Sequence, residues 1–207
     1  MMKVLLINGS PHRVGCTYTA LREVEKTLHK RGVETEIFWI GVQPVQGCIA
    51  CRKCFSLGKC VFDDAVNTIA ERADGIDGLV VGSPVYYAGA SGQITALMDR
   101  LMFSASHRFA KKPAAAVVSC RRGGASAAYD QLNKYFGMNN MPIVPSQYWN
   151  QIHGNTAEEA RKDLEGLQTM RTLGENMAWL LKCIETGRNA GIDEPYYEKW
   201  QPTNFIR

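Results

Sequence analysis

Nothing in this 207-residue chain is apolar for long enough to cross a membrane. Val4 to Ile7 is far short of the roughly twenty residues a spanning helix needs, and no basic segment precedes it as in a secretory leader. The chain also lacks a one-sided charge. Its 24 basic and 20 acidic residues leave a net charge of +4, and no basic run marks a nucleic-acid footprint. No Pro/Ser/Gly-rich or charged linker divides it, and a 45% hydrophobic content suffices for one core, so one compact domain is expected. Neither a Ser/His/Asp set nor a paired-carboxylate arrangement stands out. His12, His29, His107 and His153 are scattered without the spacing of a ligand set. These absences predict a cytoplasmic protein with neither nucleic acid nor membrane as partner.

Cysteine, by contrast, is plentiful: Cys16, Cys48, Cys51, Cys54, Cys60, Cys120 and Cys183. In a cytoplasmic chain of this size, seven cysteines argue for metal binding or redox chemistry over a disulfide framework.

Short β-rich runs alternate with helical patterns throughout. Strands are predicted at about 3 to 8, 34 to 40, 77 to 83, 113 to 120 and 141 to 147. Helices are predicted at about 17 to 31, 64 to 73, 92 to 103, 125 to 136 and 156 to 185. This alternation predicts an α/β fold, a doubly wound five-stranded parallel sheet with helices on both faces, and it fits the flavodoxin-like order 2-1-3-4-5. Ligands in such folds bind at the carboxyl ends of the strands. The tail 186–207 holds Tyr196, Tyr197, Trp200 and Phe205 with two prolines. It is expected to be an arm lying on its own domain 1–185 or at a subunit interface of a homodimer or homotetramer.

Three strand ends are rich in small and polar residues. The first runs through Asn8 Gly9 Ser10 Pro11 into a helix at Thr17. Ser10, Thr17 and Thr19, with the amides from about Arg13 to Thr19, can surround one phosphate, which the helix dipole favours. By itself such a loop reads equally well as an N-cap. It has neither the P-loop lysine nor the G-x-G-x-x-G turn, so a terminal monophosphate suits it best. After the third strand, Pro84, Val85, Tyr86 and Tyr87 offer aromatic faces and amides to a planar ring. After the fourth, Ser119 to Gly124 places Arg121 and Arg122 beside Gly123 and Gly124, where the backbone can approach a ligand closely. Trp149, Asn150, Gln151 and His153 follow the last strand and are expected to line a pocket.

The Asn8 to Arg13 stretch with Thr17, the run Gly82 Ser83 Pro84 Val85 Tyr86 and the later glycine pair resemble the NADPH-dependent FMN reductase family of the flavodoxin-like superfamily. The resemblance implies FMN, its phosphate at Ser10, Arg13, Thr17, Tyr18 and Thr19, and its ring near Pro84, Val85, Tyr86 and Tyr87. Ser119, Arg121, Gly123 and Gly124 would border the ring, and His12 is a further candidate in the phosphate loop. Cys16 stands where relatives often carry Ser or Gly, as a small neutral filler or as a thiol made acidic by the helix N-terminus.

Cys48, Cys51, Cys54 and Cys60 form C-x2-C-x2-C-x5-C within an inserted loop, 47–60, and are similar to the compact motif of the iron-sulfur flavoproteins. Three cysteines in seven residues suit three corners of a [4Fe-4S] cluster. Reduced or disulfide-paired thiols are the alternative, and zinc fits less well. Asp63 and Asp64 read as helix caps. The implied activity is an FMN-dependent oxidoreductase, taking hydride from NAD(P)H and reducing a small acceptor such as a flavin, quinone, azo or nitro compound. The alternatives are an iron-sulfur flavoprotein electron carrier and a redox-responsive FMN-binding interaction protein.

Overall fold

The computed structural model describes residues 1–203 and Phe205. In chain order the elements are β1 (Lys3–Asn8), α1 (Cys16–Lys30), β2 (Glu34–Trp39), α2 (Cys54–Leu57), α3 (Ala65–Arg72), β3 (Gly78–Tyr86), β4 (Gly89–Ala90), α4 (Gly92–Ala105), β5 (Ala114–Cys120), α5 (Ala125–Met138), β6 (Gln151–His153), α6 (Ala157–Ala160) and α7 (Leu164–Asn189). Strands β2-β1-β3-β5-β6 form a parallel sheet, and β4 pairs antiparallel with the end of β3. With that ribbon set aside, the order is the expected 2-1-3-4-5.

The strands read as continuous apolar runs because both faces of the sheet are covered. Alternation splits them between two cores. Leu5, Ile7, Leu79, Val81, Ala116 and Val118 pack with residues of α3, α4 and α5. Val4, Leu6, Val80, Ala115 and Val117 pack with residues of α1 and α7. Among the described residues no helix is long and apolar enough to cross a membrane.

Four expectations need correction. The fifth strand is not a continuous 141–147. The chain touches β5 around Ile143, with Ala114 N donating to the Pro142 carbonyl and Val144 N to the Ala114 carbonyl, both at 2.8 Å. Beyond Val144 the chain leaves β5, and pairing resumes only at β6. The final helix is two helices, because Asp163 caps a fresh start by accepting from Gly166 N at 2.9 Å. The third strand runs on to Tyr86 and turns back as a hairpin, its two central residues Tyr87 and Ala88 both at positive φ, the geometry of a type I′ turn. The C-terminal arm starts after Asn189 rather than at 186. Residues 204, 206 and 207 of that arm lie outside the described residues.

Candidate functional site

The loop after β1 is shaped by one fully buried side chain. Asn8 Nδ2 donates to the Arg13 carbonyl at 3.1 Å, and its Oδ1 accepts from the Ser10 amide at 3.2 Å. Gly9 N donates to the Gly82 carbonyl at 2.8 Å, pressing the loop onto β3. A methyl group at Gly9 would lie 2.7 Å from that oxygen and 2.8 Å from Ile94, so glycine is required by close approach. From β2, Trp39 Nε1 donates to the Ser10 carbonyl at 2.8 Å, and the Arg13 guanidinium sits 5.8 Å from its ring centre.

Helix α1 then begins without a side-chain cap on its first-turn amides and with no acidic residue in its own first turn. Helices α3, α4, α6 and α7 are each capped, by Asp64, Ser91, Thr156 and Asp163. Beside the uncapped turn, Thr17 and Ser119 hydroxyls stand 2.8 Å apart and almost wholly buried. They open into a cleft of about 570 Å³, within the roughly 300–1,000 Å³ usual for small-molecule sites. Free amides, buried hydroxyls and a helix dipole at one end of such a cleft hold a dianion, so the site fits a flavin mononucleotide.

The cleft brings together Ser10, His12, Thr17, Pro84, Val85, Tyr86, Ser119 and Arg121 from all three expected loops. Arg13 lies instead on Trp39. Tyr18 and Thr19 face a separate recess with Arg22 and Lys26, and the Thr19 hydroxyl donates to the Gly15 carbonyl at 3.0 Å. Tyr87 projects fully into solvent at the hairpin tip. Gly124, at φ +92°, precedes α5, where a Cβ would meet Ala88 Cα at 2.7 Å, and Gly123 has open space around it.

Cys16 is not an activated thiol: it donates to the Gly154 carbonyl at 3.4 Å, and burial pushes its pKa above the ordinary value. The wall expected from Trp149 to His153 is formed by the next five residues, Gly154 to Glu158. Asn150 is wholly buried, and Trp149 packs edge-on against Tyr148 at 4.7 Å. Thr156 with Glu159 three residues on, a helix-start pattern, was the signal for that wall. Thr156 Oγ1 accepts from Glu159 N at 3.2 Å, and the Glu159 carboxylate accepts from Asn155 N at 2.7 Å.

The second site follows β2 at the same edge of the sheet. Gln93 of α4 donates through Nε2 to the Gly41 and Gln43 carbonyls at 3.2 and 3.0 Å, leading the chain into the cysteine loop. Cys48, Cys51, Cys54 and Cys60 all line one small cavity there, and among the described residues every cysteine is free. Ala50 and Arg52 hold φ of 51° and 58°, which costs a residue with a side chain about 1–2 kcal/mol and persists only where the surroundings impose it. Among the described residues no three His, Cys, Asp or Glu close on a single metal ion. A cubane is larger than an ion and spreads its ligands further apart. Four thiols around one cavity are the soft donor set that iron-sulfur clusters take. Burial pushes the Cys54 thiol up, and the neighbouring cysteines add to the effect, so metal binding there would release protons. Asp64 caps α3 as expected, its Oδ1 accepting from Val66 N at 3.0 Å, and it also pairs with Arg100.

Comparison with known proteins agrees with this geometry. Residues 2–156 match the model of the NADPH-dependent FMN reductases. An iron-sulfur flavoprotein of Methanocaldococcus jannaschii is 33% identical over 192 residues, covering 89% of this chain and 100% of that protein. Among solved structures, RosB with a bound 8-demethyl-8-formylriboflavin-5'-phosphate intermediate superposes with a TM-score of 0.70 at 15% identity, over 100% of this chain and 94% of the other. The apo form of an NADH:FMN oxidoreductase reaches 0.65 at 14% identity, over 87% and 90%. At those identities the structural likeness is one of fold. The family match spans most of the chain and takes in the loop after β1 and the β3–β4 hairpin alike: this is a flavin-dependent oxidoreductase belonging to the NADPH-dependent FMN reductase family.

Proposed function

We propose that the protein is an FMN-dependent NAD(P)H oxidoreductase that passes electrons to a small acceptor such as a flavin, quinone, azo or nitro compound. The observation that carries this reading is the uncapped start of α1 facing the Thr17–Ser119 hydroxyl pair in an open cleft. FMN, when bound, supplies hydride acceptance at its N5. Ser10, Thr17 and the first amides of α1 would hold its phosphate, each charge-assisted hydrogen bond contributing about 1.5–3 kcal/mol. Pro84, Val85 and Tyr86 would border the ring, with Arg121 at the mouth for an anionic group of the nicotinamide donor. No side chain has to move a proton at the reacting atoms.

A second reading has its own observation, the four free thiols on one cavity. Cys48, Cys51, Cys54 and Cys60 would hold a [4Fe-4S] cluster that supplies one-electron chemistry, making the protein an electron carrier. Free thiols suit the reducing cytoplasm. The arm after Asn189, with Tyr196 and Trp200 largely exposed, supports association of copies.

An absorption spectrum of anaerobically purified protein, with iron and sulfide assays and NAD(P)H oxidation using a dye acceptor, tests both readings. Flavin bands and rapid turnover are expected. Protein that takes up no FMN overturns the first reading, and flavin without iron overturns the second.

A further inference from the structure

Arg100 is a cation only 1% exposed, in the middle of α4. All five of its N–H groups have acceptors. Nε is 3.2 Å from Cys60 Sγ. Nη1 is 3.1 Å from the Gln46 carbonyl and 2.6 Å from Asp64 Oδ2; Nη2 is 3.2 Å from the Phe62 carbonyl and 3.0 Å from Asp64 Oδ1. The Phe62 ring lies 4.9 Å from the guanidinium carbon. A lysine has three donors at a single point and cannot reproduce this fork.

The acceptors lie on both sides of the cysteine loop, Gln46 before Cys48 and then Cys60, Phe62 and Asp64. Asn67, itself buried, fixes the backbone at the same corner. It accepts from Cys60 N at 3.0 Å and donates to the Cys60 and Phe62 carbonyls at 3.0 and 3.1 Å. Cys60 is therefore held by main chain and sulfur, whereas Cys48 and Cys51 are exposed. Asp64 alone would balance the buried charge, so the bond to sulfur is additional to that pairing. An N–H donated to a ligating sulfur favours the more electron-rich state of a cluster.

We infer that Arg100 is a positioning residue of the cysteine site: it clamps both ends of the loop with or without metal, and its bond to Cys60 raises the reduction potential of a cluster held there. The second half rests on the cluster reading proposed above; the first half does not.

The test uses Arg100→Lys, which keeps the charge and loses the fork, and Asp64→Asn, which keeps Arg100 and loosens one grip. In FMN-loaded full-length protein stripped of metal by a chelator, hydrogen exchange of amides 46–62 rises at least tenfold in Arg100→Lys and severalfold in Asp64→Asn. Residues 3–30 stay as in the parent. Unchanged exchange in the loop overturns the clamp. After anaerobic reconstitution, the cluster of Arg100→Lys titrates lower by about 59 mV, a tenfold change in a one-electron equilibrium. A fully loaded cluster at the parent potential overturns the bond to sulfur. A parent protein that takes up no iron, while its loop still responds to substitution, overturns the cluster reading and the second half and leaves the clamp standing. Should Arg100→Lys fail to fold, the same readings on Asp64→Asn decide.

Discussion

The two loops at the carboxyl edge of the sheet are held by opposite means. The loop after β1 is made of backbone wired into the core, with Gly9 against the Gly82 carbonyl, Asn8 bridging Ser10 to Arg13, and Trp39 bonded to Ser10. The loop after β2 lies outside the sheet and is gripped by side chains reaching from neighbouring helices, Gln93 and Arg100 from α4 and Asn67 from α3. Where main chain is pressed into the core, a change to the main chain alters loop and fold together. Where side chains hold a loop from outside, the loop can be altered alone.

The sharpest way to break this contrast is Gly9→Ala. Its methyl meets a backbone oxygen and Ile94 below 3 Å, an overpacking that costs about 1–3 kcal/mol. The thermal midpoint should fall by about 3–10 °C, and FMN affinity, followed by fluorescence quenching, by about a hundredfold or more. Parental values for both would mean that the loop does not depend on its close approach to β3.

Thr17→Val should separate binding from folding within the same loop. Removing one hydroxyl weakens FMN by about tenfold or more, while the Ser119 hydroxyl left without its partner costs about 1 kcal/mol, a few degrees of midpoint at most. A large drop in midpoint would assign the Thr17–Ser119 pair to stability instead.

Replacing Cys48, Cys51, Cys54 and Cys60 together by serine should abolish iron and sulfide binding and leave FMN affinity within about twofold, since those residues anchor no strand. Loss of flavin in that variant would show that the two loops are one site.

The smallest effect concerns Cys16. Burial raises its folded-state pKa above the unfolded one, so its contribution to stability is full below about pH 8.5 and is lost as pH rises through the folded value. Cys16→Ser should flatten the decline of the thermal midpoint in that alkaline range by about a degree, measured by calorimetry across the pH series.

How much was legible in the sequence follows the same division. The loop after β1 announces itself through local chemistry, small hydroxyl residues between a strand and a helix, and the strand order follows from alternation. Asn8 and Trp39 read only as the ends of β1 and β2, because the atoms that occupy them are set by loop curvature rather than by spacing. The break in the last strand was written in Pro142 and Pro145, since proline is depleted in strands. Tyr18 and Thr19 lie in the right segment, yet a helix turns each successive residue by about 100°, and only Thr17 keeps its side chain on the cleft side. Arg100 carried an overlooked signal: a charged residue between Leu97 and Leu101 sits on the buried face of its helix, where a cation needs a partner.

One helix touches both loops. Ser91, at the start of α4, donates through its hydroxyl to the Gly9 carbonyl at 3.1 Å, and Arg100 meets the cysteine loop nine residues later. At 1.5 Å per residue those anchor points lie about 13–14 Å apart along the axis. Helix α4 thus acts as a ruler, fixing the spacing of the two sites by a residue count, so that a one-residue insertion between Ser91 and Arg100 would swing the far anchor around the axis.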